Sequence, residues 1–172
     1  MDFLTLAKQR YSCRKLSDRK VDRKLLDQLI ESAIAAPTAV NRQPFHIWLM
    51  ESPEAKEKIR SVTKFTFGAE HFLVVGYREA DAWVRKYDDH NFAAVDASIV
   101  ATHIMMEIES LGLATTWVGH FDAPALHASC PEMEGYELIA IFPVGYADES
   151  PEAQPSARHF ERKPVSELVS EL

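Results

Sequence analysis

Cysteine is scarce in this 172-residue chain. Cys13 and Cys130 stand alone, without CxxC spacing, which leaves no basis for a disulfide framework or a zinc knuckle. No run of about 20 uninterrupted apolar residues is present, so a membrane-spanning helix is not expected. A basic excess is missing too. The net charge is −7 and there is no long Lys/Arg tract, which argues against a nucleic-acid partner, because non-specific binding of that kind depends on releasing counterions from a positive face. The first residues, Met1-Asp2-Phe3-Leu4, offer an acid where a secretory leader carries a base, and a cytoplasmic protein is the expectation. The histidines are scattered, and none forms the HExxH pattern of a zinc enzyme, so no metal site is expected.

What is present is ordinary globular material: 47% hydrophobic and 26% charged residues, in a length suited to one domain over residues 1–172. The organising stretch runs from Phe92 to Gly119. Its first part, to Leu111, is apolar around nearly the whole helical circumference, which predicts a buried central helix. Gly112 then ends it, and residues 113–119 read as a short β-rich run leading into His120.

Ahead of that unit, Asp2 and Asp22 are candidate caps of two helices, the second with Leu25, Leu26, Leu29, Ile30, Ala33 and Ile34 at helical spacing. Phe45–Met50 reads as a strand. Ser52-Pro53 opens a charged helix, and the continuous apolar run Phe72–Tyr77 predicts a strand covered on both faces. The segment from Arg78 to Asn91 carries Trp83 and Tyr87 among charges; helix packing is the plainer reading, a lid over a ligand the sharper one. Tyr136–Tyr146 is the longest strand candidate, with Pro143 implying an edge or bulge near its end. A closing helix is predicted from Val165 to Leu172.

Three features carry chemistry. Arg10, Ser12 and Arg14 alternate, so in an extended segment all three face one side and form an anion clamp; a solvated basic turn is the plainer alternative. Pro37 and Pro44 bracket a loop rich in hydrogen-bonding groups, suited to holding Asn41 and Gln43 against a ligand or to joining a helix and a strand. Arg158 and Arg162 form a second basic cluster more than a hundred residues from the first. The two cysteines are read as structural, Cys13 pointing away from its polar neighbours.

Four stretches, in order, resemble the FMN-dependent nitroreductase family: Arg10-Tyr11-Ser12-Cys13-Arg14, Ala36–Pro44, Gly112–Gly119 and Arg162-Lys163-Pro164. The resemblance spans essentially the whole chain. It implies an α+β fold, nitroreductase-like, with an antiparallel-dominated sheet flanked by helices, and an intertwined homodimer with FMN sites shared between protomers. It also implies that Arg10, Tyr11, Ser12, Arg14, Arg158 and Arg162 lie at the flavin phosphate and ribityl chain. Pro37, Thr38, Ala39 and Asn41 would approach the ring from the other protomer, and the backbone of Gly119 and His120 would lie near N5. No side chain need then act as catalyst, because the hydride chemistry belongs to the cofactor. The implied activity is transfer of a hydride from NADH or NADPH, through FMN, to a nitroaromatic, quinone or similar acceptor by a ping-pong mechanism. A flavin storage or sensor module is the alternative. The chain departs from the family pattern at His120, where a second glycine is frequent, and at Phe160, where a basic residue is frequent and Arg158 stands in. Its segment 80–91 is a short version of any lid. Lys64 is a candidate cation for the reduced ring.

Overall fold

The computed structural model describes residues 2–172. Helix α1 (Phe3–Gln9) starts where Asp2 accepts the Thr5 N–H, and α2 (Arg23–Ile34) starts where Asp22 accepts the Lys24 N–H. These carboxylates satisfy backbone donors that a helix start otherwise leaves unpaired. Strand β1 (Phe45–Met50) leads into α3 (Pro53–Val62), capped by Ser52 with Pro53 in the first turn. Strand β2 is His71–Tyr77, α4 is Ala93–Ser110, α5 is Ala123–Ser129 and β5 is Glu137–Val144.

The main sheet is antiparallel, ordered β1-β2-β5. Alternation along β2 decides the layering. Phe72 and Val74 pack with Ile59, Leu126, Met133 and Ile141 on the α3/α5 side, while Leu73 and Val75 pack with Leu26, Leu29, Val100, Ile104 and Phe142 beneath α2 and α4. Both faces are therefore covered, which is why the strand reads as an unbroken apolar run. Gly76 is required by close approach: a Cβ there would lie 2.8 Å from the Glu137 carbonyl oxygen and 3.1 Å from the Trp48 ring.

Five expectations change. Helix α4 buries one face, through Ala93, Asp96, Ala97, Val100, Ala101, Ile104 and Ile108, while Ala94, Val95, Ser98, Ile99, Thr102 and His103 line an open surface hollow. Residues 113–119 form no strand of their own; single bridges join Ala114 to Gly145 and Val118 to Ile141 along the β5 edge. Strand β5 does lie at an edge of the three-stranded sheet, as Pro143 implies, with Pro143 opposite Phe72 and the register shift at Val75/Gly76. The segment after β2 is no helix. One short turn is followed by the two-residue strands β3 (Val84–Arg85) and β4 (His90–Asn91), closed by Trp83 and His90 packing edge-on against Phe92. At the C-terminus only α6 (Val165–Leu168) is helical, and none of its residues is buried. Ile34, at the end of the apolar stripe of α2, is 61% exposed.

Candidate active site

Arg10 ends α1 with φ −55° and ψ 127°, and residues 11–14 belong to no helix or strand. Backbone hydrogen bonds fix this segment on two sides. The Cys13 N–H donates to the Thr115 carbonyl at 2.9 Å, and the Leu16 N–H donates to the Phe67 carbonyl at 2.8 Å. The Cys13 side chain turns inward, 1% exposed, with its thiol directed at the Lys15 and Ala153 carbonyls. Its neighbours Ser12 and Arg14 turn the other way, as their alternation in sequence predicts.

The second basic cluster arrives by the same lattice of bonds. Ser17 N–H donates to Tyr146 O, Asp148 N–H donates to Lys15 O, and Leu16 bridges Ala147. Residues 146–153 thus run beside 13–17 and deliver Ser156 to Arg162 alongside Arg10. A cavity of about 190 Å³ results, lined by Arg10, Ser12 and Arg14 from one segment and by Ser156, Arg158, His159 and Arg162 from the other. No carboxylate lines it. Cations crowded this way repel one another by about 1 kcal/mol per pair at 4 Å even in water, and an anion among them reverses the sign. Arg14 donates to the Ser12 carbonyl, and Arg162 to the carbonyls of His159 and Glu161. Just outside the cavity, burial pushes the Glu109 carboxyl above its ordinary range, with Arg10 opposing the shift. Burial, and secondarily Cys13, raises the Tyr11 phenol; that ring packs toward the core and edge-on to His159 instead of lining the cavity.

Arg14 also borders a second cavity of about 190 Å³, formed by Phe65, Phe67, Thr116, Trp117, Val118, Gly119 and His120. Its floor is rigid: Val118 and Ile141 exchange both backbone hydrogen bonds, and Trp117 packs edge-on against Phe142. At Gly119 a Cβ would meet nothing within 4 Å, so the glycine leaves open space. The Thr63 hydroxyl donates to the His120 carbonyl at 2.8 Å, and the Phe65 ring lies edge-on to the imidazole at 5.7 Å. Past His120 lies an open cleft of about 530 Å³ bordered by Thr63, Lys64, Phe121 and Asp122.

Arg10, Ser12, Arg14, Arg158 and Arg162 are therefore brought together, and Arg14 links them to Gly119 and His120. Pro37, Thr38, Ala39 and Asn41 line neither cavity. Their loop sits at the start of α4, where Ala39 N–H donates to Asp96 Oδ1 at 2.8 Å and Thr38 Oγ1 accepts the Gln43 N–H. Val40, Asn41 and Gln43 all have left-handed φ, at 50°, 56° and 50°. That conformation is costly for a β-branched Val40, and the buried Asp96 helps to hold it. Sequence reasoning missed Ser156 and His159, which flank Arg158, and Thr116 and Trp117, which lie inside the Gly112–Gly119 stretch. It also missed Phe65 and Phe67. Their only signal was alternation after Thr63, with Phe67 at φ 52° turning the chain back onto Leu16.

Among the described residues, no group of His, Cys, Asp and Glu could hold a metal ion, and no helix is long and apolar enough to cross a membrane. A family model described as the nitroreductase family matches residues 7–66 and 61–146. A Methanothermobacter thermautotrophicus protein carrying the name Putative NADH dehydrogenase/NAD(P)H nitroreductase is 28% identical over 88% of this chain and 80% of its own. Human iodotyrosine deiodinase 1 is 22% identical over 98% of this chain and 68% of its own. A crystal structure of a nitroreductase family protein from Clostridium difficile 630 superposes with a TM-score of 0.89 at 32% identity, covering 99% and 98% of the two chains. At 18% identity the same fold recurs in a structure from Exiguobacterium sibiricum solved in complex with FMN, with a TM-score of 0.83 over 100% and 98% of the two chains.

Proposed function

Because the chain belongs to the nitroreductase family, we propose that it is one FMN-binding domain that passes a hydride from NADH or NADPH, through the flavin, to an electrophile such as a quinone or nitroaromatic in a ping-pong cycle. The observation that carries this reading is that the two cavities share Arg14. A pocket of four arginines and two serines without a carboxylate suits a phosphate dianion, and Arg14 joins it to a space walled by Phe65, Phe67 and Trp117 that suits an apolar planar ring. FMN has these two ends. The flavin, when bound, supplies the two-electron chemistry; the residues supply the rest. Arg10, Arg14, Arg158 and Arg162 would hold the phosphate. Trp117 and Val118, held against β5, would line the place of the ring, and the open space at Gly119 would leave room beside it.

The site is proposed to be completed by a second copy of the chain. The loop 37–44 does not reach the cavities of its own chain, α4 leaves Val95 and Ile99 on an open face, and Phe160, Val165, Leu168 and Val169 are exposed near the C-terminus. A homodimer covers these apolar groups and brings the Pro37–Pro44 loop to the partner's ring.

The test is anaerobic mixing of FMN-loaded protein with NADH and with NADPH. Bleaching of the yellow colour, restored by a quinone, is the expected result. If neither nucleotide reduces the bound flavin faster than free FMN, the chain is a storage or sensor module instead. The deiodinase relative adds halogenated phenols to the acceptors worth including.

A further inference from the structure

His120 is the one residue common to the linings of the ring-end cavity and the open cleft beyond it. Its place is built. The buried Thr63 holds its carbonyl, the Asp122 N–H donates to the Val62 carbonyl at 2.9 Å, and Phe65 flanks its ring, so the turn is stitched to the end of α3 while the imidazole stands free between the two spaces. The charged groups that face it are Arg60, Lys64 and Asp122 across the cleft and Arg14 across the ring-end cavity. Arg60 is committed to Glu57 and Glu70, and Asp122 caps α5 through the Ala125 N–H. Lys64 lies over the Phe65 ring and lines the cleft only, so the group bordering both spaces is the imidazole, whose ring N–H can donate to a bound oxygen.

Resting on the flavin reading above, we infer that the cleft of Lys64, Phe121 and Asp122 is the acceptor's binding site, that the acceptor is a quinone or other conjugated carbonyl, and that His120 is its proton donor. The electron balance is that of NAD(P)H plus quinone plus one proton giving NAD(P)+ plus hydroquinone. NAD(P)H supplies the hydride equivalent, two electrons and one hydrogen nucleus. The second proton comes from the imidazolium: an N–H bond of His120 breaks, an O–H bond forms on the acceptor's carbonyl oxygen, and water returns a proton to the ring. Without that donor the acceptor would leave as an oxyanion. Positioned general acids contribute roughly 10²–10⁴-fold.

The experiment compares wild type with His120→Gln, both FMN-loaded and anaerobic. The substitution leaves the hydrogen-bonded backbone in place, and circular dichroism and flavin content check its integrity. After reduction by NAD(P)H, each is re-oxidised by a neutral quinone and by ferricyanide, which takes electrons without protons. The expected result is that the quinone rate falls by about tenfold or more relative to the ferricyanide rate. Equal losses with both oxidants assign His120 a structural role and overturn the inference. Separately, p-hydroquinone added to oxidised, FMN-loaded wild type shifts the His120 imidazole proton resonances, identified by their absence from His120→Gln. Unmoved resonances overturn the inference without reference to turnover. Failure of NAD(P)H to bleach wild type at all removes the flavin enzyme itself, an outcome distinct from either of these.

Discussion

Replacing Arg14 with alanine separates the two ends of the proposed site. Arg14 is exposed, and its guanidinium makes one hydrogen bond within the chain, to the Ser12 carbonyl at 3.3 Å, so the fold loses little: within about 0.5 kcal/mol, as for surface substitutions elsewhere. It is nevertheless the residue shared by the arginine pocket and the ring-end cavity. Losing one charge-assisted partner of a phosphate costs about 1.5–3 kcal/mol, which is roughly a tenfold to 150-fold rise in the FMN dissociation constant. Arg10, Arg158 and Arg162 remain, so binding weakens without disappearing. Riboflavin, which lacks the phosphate, provides the reference. Titrating apoprotein with each flavin by fluorescence quenching or calorimetry should show a much larger loss for FMN, and the difference between the two losses is the Arg14–phosphate coupling. Raising the salt concentration should narrow that difference, since the pocket opens to solvent and exposed charges are screened over about 10 Å at 0.1 M. Equal losses for both flavins would place Arg14 against the ring or ribityl chain and remove the phosphate assignment of the pocket.

Ile99→Asp, on the open face of α4, should dissociate the proposed dimer and lower FMN affinity together in light scattering and flavin titration; a folded monomer of unchanged FMN affinity sinks the shared-site proposal. Gly76→Ala forces a methyl against the Glu137 carbonyl and should cost about 1–3 kcal/mol in chemical denaturation, whereas Gly119→Ala, with open space around it, should leave stability within about 0.5 kcal/mol while weakening flavin binding. Burial, and secondarily Arg78, holds the His46 imidazole below its usual 6.5. The unfolded chain therefore binds that proton more tightly, and stability present above pH 6.5 is lost as the pH falls through the lowered folded-state value. His46→Phe should flatten that slope in denaturant midpoints measured from pH 7.5 to 5, and an unaltered slope assigns it to other groups.

Much of this was legible in one dimension because it depended on neighbours in sequence. Asp2, Asp22 and Ser52 cap helices through backbone donors two or three residues away, so their positions suffice to mark the starts. The period-two placement of Arg10, Ser12 and Arg14 around an inward Cys13 likewise needs only an extended backbone. The family resemblance followed from such local stretches in order, and the α+β, antiparallel architecture came with it. The errors fall where distant chain decides. Helix α4 reads as apolar all round, yet which face is covered depends on where α2 and the sheet lie, and the single chain covers one. Pro143 reads as a sheet edge, and β5 is one, but only the pairing shows that the register shift falls at Val75/Gly76. The meeting of Arg14 with Arg162, and of His120 with Phe65 and Thr63, arises from hydrogen bonds such as Cys13 to Thr115, Leu16 to Phe67 and Asp148 to Lys15. These use backbone groups, which every residue carries, and so leave no mark in the side-chain sequence: residue types set what chemistry is available, and the tertiary hydrogen-bond lattice sets which of it converges.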